Sequence, residues 1–363
     1  MGASSRNRKG EKGATPEFLL NPIKNELVVY TGLFANRGEI MGIFLEALQG
    51  HIVTTTVVAM SETLLTELRQ LVEQSSSADE FRGIAIYVVG SFGRKEIGPN
   101  SDLDIYSVSQ GDSGVGSGNS FFPTVIANLK SHLGGDFVID PKCLQNFSRN
   151  KLAQSIGTSR DDYENSFTAR MLLLLESQAL INENDYSLSI DTLASSYFLN
   201  RSFRSNHFPS VFLLDDLERY WKTLCVNYEI SSYGGTRPLA LKSLCLRFSR
   251  ALTVFSTILN ILVTKDFNET DLFSLARLTP LQRLAKAMDQ INDASLLGKF
   301  EEALDLYHSF LLLKQRPDIA QVLEVNSELR EDYLSRGDRF TDFLFGLLSG
   351  IHIDSKMRKH LFL

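Results

Sequence analysis

Two carboxylates separated by a single residue stand downstream of a glycine–serine pair. The segment reads Gly90-Ser91, then Arg94 and Lys95, a turn at Gly98-Pro99-Asn100, and Asp102-Leu103-Asp104. On an extended strand, residues i and i+2 face the same side, so Asp102 and Asp104 stand together with Leu103 opposite. Carboxylates placed this way repel unless a cation lies between them. They suit Mg2+ or Mn2+, hard ions that take oxygen ligands and substrate phosphates. Two such ions about 3.5–4 Å apart stabilise both the attacking and the leaving oxygen of a phosphoryl displacement. Gly90 permits close backbone approach to a phosphate, and N–H groups opening a following helix attract anions. The Ser91 hydroxyl can donate to a phosphate oxygen, and Arg94 or Lys95 can balance triphosphate charge. The chemistry these types and spacings suggest is a metal–triphosphate cradle.

The cradle needs two strands. Residues 83–89 (GIAIYVV) form a β-rich run ending at Gly90, and 103–108 (LDIYSV) form a second, alternating run. Helical spacing over 37–50 and 60–74 predicts helices there, with Ser61 as N-cap and Leu64, Leu65 and Leu68 on one face. The β-branched runs 27–34 and 52–59 fit strand or helix. Residues 121–133 fit a helix, 136–140 (DFVID) a third strand, and 165–180 a strong helix. From about 190 onward helical patterns dominate: 211–227, 238–264, 270–291, 294–313, 318–334 and 338–350, with breaks at 231–237, Pro280 and Pro317. The expected fold class is α+β, a small mixed sheet with flanking helices followed by an all-α domain. The expected division is a disordered basic tail over 1–20, a catalytic-type domain over 21–190 with its core at 60–185, and a helical domain over 200–363.

Gly90-Ser91 followed about a dozen residues later by Asp102-Leu103-Asp104 resembles the signature of the polymerase-β-type nucleotidyltransferases, and the run Gly93-Arg94, Glu96, Pro99, Ser101-Asp102-Leu103-Asp104 carries a closer likeness. Within that superfamily it is most similar to the nucleotidyltransferase domain of bacterial PII-protein uridylyltransferases and their uncharacterised relatives. The helix at 168–180 (TARMLLLLESQAL) looks like the one that follows the catalytic strands there. The resemblance implies Mg2+ or Mn2+ on Asp102 and Asp104, and nucleotide binding by Gly90, Ser91, Arg94, Lys95 and Ser101. It also implies a third carboxylate that completes the metal site and helps deprotonate the acceptor hydroxyl. Asp140 is the first choice and Asp136 the second, with Asp161 and Asp162 lower in an expected loop. The implied reaction moves a nucleoside monophosphate from an NTP to a protein side chain or an RNA end, in signalling or as a toxin or defence module. A small-molecule or second-messenger product, or NTP sensing without turnover, are the alternatives. The chain is too short for the further domains of full PII uridylyltransferases.

Composition narrows the setting. The 363 residues are 43% hydrophobic and 22% charged, which excludes a disordered or collagenous chain. A net charge of −6 gives no global attraction for nucleic acid, so no long-DNA partner is expected. No apolar run suggests a membrane span, and no signal-peptide pattern is evident. Cys143, Cys225 and Cys245 are scattered and read as reduced core residues, in keeping with a cytoplasmic setting. Two basic clusters have two readings each. Arg219-Tyr220-Trp221-Lys222 suits base stacking or helix packing. Lys242, Arg247 and Arg250 suit a cleft-facing stripe or a solvated face. Arg170 suits a structural salt bridge. Glu96 reads as a turn stabiliser pairing with Arg94.

Overall fold

The computed structural model describes residues 42–74, 82–111, 127, 146–198, 211–233 and 239–351. Helices α1 (Ile43–Gly50) and α2 (Ile52–Gln74) precede a four-stranded sheet of β1 (Ile84–Val89), β2 (Ile105–Ser109), β3 (Asn146–Ser148) and β4 (Ser177–Ile181). Between β3 and β4 lie α3 (Arg149–Gln154), α4 (Arg160–Tyr163) and α5 (Ser166–Leu175), and α6 (Glu183–Ser196) follows β4. The rest is helical: α7 (Val211–Tyr233), α8 (Leu239–Val263), α9 (Glu269–Ala276), α10 (Pro280–Ile291), α11 (Leu297–Lys314), α12 (Ile319–Val325) and α13 (Ser327–Gly350). The fold is mixed α+β, as the sequence predicts.

The sheet order is β3-β2-β1-β4, with β1 antiparallel to both neighbours and β2 parallel to β3. Central β1 is buried on both faces, so its alternation sorts apolar residues between two cores. Ile86 and Val88 pack with Leu65, Leu68 and Val72 of α2 and with Leu103 and Ile105. Ala85, Tyr87 and Val89 join a larger core that runs through α6, α8, α11 and α13. The expected sheet and helical parts therefore share one apolar interior, and Gly42–Leu363 form one compact unit. Helix α1 also belongs with the C-terminal helices: Asp289 of α10 accepts from the backbone N–H groups of Phe44 at 3.0 Å and Leu45 at 3.3 Å.

Several elements differ from expectation. Residues 52–59 are helical, so Ser61 lies inside α2 rather than capping it. Its buried hydroxyl instead accepts from the Ile97 N–H at 3.1 Å. The helix expected over 165–180 stops at Leu175, and 177–181 is strand β4, because the free edge of β1 pairs with it through Val89 and Ser177. The second strand begins at Ile105, just after the acidic pair rather than within it. Helix α13 runs unbroken through 334–338. Its Gly337 lies where a side chain would meet Arg247 Cδ at 2.9 Å, which lets α13 pack closely on α8. Neither β3 nor α6 was anticipated. The expected tail at 1–20, the run 27–34, residues 37–41, most of the helix 121–133, the strand 136–140 and Cys143 lie outside the described residues. Cys225 and Cys245 are free and half-buried.

Among the described residues one unbent helix, Leu239–Val263, is long and apolar enough by length and composition to cross a membrane; 72% of its apolar window is buried within the protein. Its sequence character is that of a core helix here.

Candidate functional site

The turn after β1 is built by backbone geometry. Gly90 has φ +68°, a conformation that glycine adopts without a Cβ penalty. The Arg94 N–H donates to Gly90 O at 2.9 Å, Lys95 N–H to Phe92 O at 3.2 Å, and Glu96 N–H to Ser91 O at 2.8 Å. Phe92 and Ile97 anchor the turn in the α2-side core. Ser91 is half-buried.

Asp104 closes on this turn. A Cβ added to Gly90 would lie 3.4 Å from Asp104 Oδ2, so the carboxylate stands directly over the glycine. The Asp104 carbonyl accepts from the Val89 N–H at 3.1 Å, tying the acidic segment to the end of β1. Asp102 is exposed, Leu103 fully buried and Asp104 half-buried. This is the expected alternation, although it lies in the segment leading into β2. Gly90 and Asp104 thus meet at the end of β1, with Ser91 and Asp102 close to them in the chain. Carboxylate and serine hydroxyl oxygens are ligand types that Mg2+ takes. Among the described residues no group of three or more His, Cys, Asp or Glu is arranged for a metal. Asp140 and Asp136 lie outside those residues.

Arg94 is placed otherwise than expected. It is only 4% exposed, and its guanidinium donates to Glu96 Oε2 at 3.0 Å and forms an ion pair with Glu176, the residue after α5. It is a buried strut of the turn rather than a group free to meet phosphate, and its pairing with Glu96 is as the sequence suggests. Lys95, at φ +60°, pairs with Glu62 of α2. Ser101 is buried, and its Oγ accepts from the Gly98 N–H at 3.0 Å, so it closes the turn at 98–101. Asp161 and Asp162 fall on α4 and pair with Arg170 and Arg219, respectively.

Several residues of the basic clusters pack inward, while Lys222 is exposed beside Glu218. The Tyr220 hydroxyl donates to Glu176 Oε1 at 3.2 Å, Trp221 meets Phe255 edge-on at 5.0 Å, and Arg219 lies 3.8 Å over the Phe167 ring. Arg247 binds Asp338 at 2.7 Å, and Arg250 forms an ion pair with Glu176.

Sequence reading missed Glu176 as a hub, although it is the glutamate of the "LLES" run. Burial disfavours its charged form, but Arg250 and Arg94 outweigh that and hold its carboxyl below the usual range. Around the neighbouring Glu96, Ser249 donates to Oε2 at 3.0 Å, Tyr307 donates to Oε1, and Lys314 Nζ donates to the backbone oxygen at 3.2 Å. Burial lowers the pKa of Lys314, where a charge is costly.

Gly93 is pressed against this hub: a Cβ there would overlap the Glu176 carbonyl. Both contacting groups are backbone, so neither can swing aside. Gly93→Ala is expected to destabilise the protein by about 3 kcal/mol, the upper end of typical overpacking costs. Urea unfolding would measure it, and an unchanged midpoint would mean the turn is not held this tightly.

No protein-family model matches the chain, and no curated protein matches its sequence.

Proposed function

We propose that this chain is a magnesium-dependent nucleotidyltransferase. The observation that supports the reading is the closure of Asp104 over Gly90 at the end of β1. The resemblance of 90–104 to the polymerase-β-type signature supports the same reading. Asp102 and Asp104 would hold Mg2+ or Mn2+, which when bound stabilises charge on the transferring phosphate. The Gly90-Ser91 turn grips the triphosphate through backbone N–H groups and the Ser91 hydroxyl. Asp140 is the residue proposed to accept the proton of the acceptor hydroxyl. The acceptor oxygen then bonds to the α-phosphorus, and pyrophosphate leaves with the electron pair of the broken bond. Arg94, Lys95 and Ser101 shape the turn and do not touch the nucleotide. The helical part, packed against the turn, selects base and acceptor.

Incubation with each α-labelled NTP and Mg2+ tests this. Label on a protein or RNA identifies macromolecular transfer, and a new soluble nucleotide identifies a small-molecule product. Retained Mg2+-dependent NTP binding without either product makes the chain a nucleotide-sensing protein. Neither transfer nor binding, with any of the four NTPs, overturns the reading.

A further inference from the structure

Helix α8 carries a π-helical segment at Leu246–Arg250. Such wide turns recur at functional sites. Here the segment sends two consecutive side chains to two buried carboxylates: Ser249 to Glu96 and Arg250 to Glu176. Those carboxylates both hold Arg94. Arg94 in turn donates its N–H to the Gly90 carbonyl, and Glu96 donates its own to the Ser91 carbonyl. The path from α8 to the glycine–serine turn is therefore a chain of direct contacts, Arg250–Glu176–Arg94–Gly90 and Ser249–Glu96–Ser91.

The end of α11 grips the other side of the same loop. Besides Lys314 on Glu96, the Gln315 side chain donates to the Ile97 carbonyl at 3.0 Å, and the Asn100 side chain donates to the Arg316 carbonyl at 3.0 Å. Gly98 allows this close seat, since a Cβ there would lie 2.8 Å from the Lys314 carbonyl oxygen.

Resting on the nucleotidyltransferase reading, we infer that Arg250 and Glu176 are positioning residues, a lock by which the helical part fixes the geometry of the Gly90-Ser91 turn without touching nucleotide. The lock joins two charges of each sign across the turn, the β4 start and α8. Its guanidiniums face inward to carboxylates instead of outward to phosphate. Specificity for the triphosphate then depends on backbone N–H groups whose directions the lock sets. Its loss raises the apparent dissociation constant by misaligning donors, not by removing a contact.

The test uses the full-length chain with Arg250→Ala, Arg250→Lys and Glu176→Gln, read by hydrogen exchange at residues 90–98 without nucleotide and by titration with Mg·ATP and Mg·UTP. Arg250 is partly exposed, so its removal leaves Glu176 with Arg94 and Tyr220 and the fold standing. The expected result is exchange at 90–98 at least tenfold faster in Arg250→Ala than in wild type, with helices α10 and α13 unchanged. Binding of whichever nucleotide the wild type takes weakens about tenfold, and Arg250→Lys, which keeps the charge, restores most of both. Glu176→Gln shows the same local loosening if folded, and Arg250→Ala alone decides if it is not. Unchanged exchange in folded Arg250→Ala overturns the lock. Faster exchange in a protein whose wild type binds no NTP leaves the lock in place and overturns the nucleotidyltransferase reading instead.

Discussion

Asp104→Ala is expected to reduce nucleotidyl transfer by about three orders of magnitude, the effect of removing one electrostatic anchor of a developing charge. The fold should persist. Asp104 is half-buried and fills no core volume, since the packing at this point belongs to Leu103 and Ile105. The backbone bond from Val89 to the residue 104 carbonyl does not need the side chain. Asp102→Ala is expected to act in the same direction on a more exposed side chain. The measurement is the initial rate of label transfer alongside the unfolding midpoint. A wild-type rate in either variant removes that residue from the metal site.

The largest expected loss of stability lies elsewhere, at Arg170. Its guanidinium is fully buried and donates to Asp161 Oδ1 and Oδ2 at 2.8 Å each, to Asp216 at 2.9 Å and to the Tyr197 hydroxyl at 2.7 Å. Tyr197 in turn donates to Asp216 at 2.6 Å. The knot ties α4, α5 and α7 to the residue following α6. Arg170→Met keeps apolar stem volume but leaves Asp161 and Asp216 buried without their main cation. Breaking one side of a buried pair costs about 3–5 kcal/mol, and that loss is expected in urea unfolding. Arg170→Lys should recover part of it, since an ammonium supplies charge without the planar fork. A loss under about 1 kcal/mol in Arg170→Met would contradict the satisfied network seen here and the usual cost of breaking one.

The legible parts of this fold are those whose causes are local. Strand β1 shows in its β-branched run ending at glycine, the turn in Gly98-Pro99-Asn100, and the acidic pair in its i, i+2 spacing. Most C-terminal helices show in their periodicity, with Pro280 at the start of α10 and Pro317 after α11. Parts fixed by distant partners do not show. LLLLESQALI is one apolar run with good helix formers, and it divides at Glu176 only because β1 offers a free edge to 177–181. Ser61 carries the signature of a cap, yet its partner is Ile97. Arg94 looks like a phosphate ligand beside a glycine–serine pair. Its carboxylate Glu176 and that residue's second cation, Arg250, lie far along the chain and meet only in the folded core. The charges at 219–222 and 242–250 leave binding and packing both open in the sequence for the same reason: the chain shows side chains and not their spatial neighbours.

The central claim is that Gly90-Ser91 and Asp102/Asp104 together hold a metal-loaded nucleotide, and equilibrium titration tests it most directly. Wild-type protein and Asp104→Asn, an uncharged substitution of nearly equal size, would each be titrated with the four NTPs in Mg2+ and again in a chelator. The account predicts saturable binding of at least one NTP by the wild type that needs Mg2+ and weakens at least tenfold in Asp104→Asn. Binding that ignores both the metal and the substitution, or no binding of any NTP by the folded wild-type chain, would contradict it.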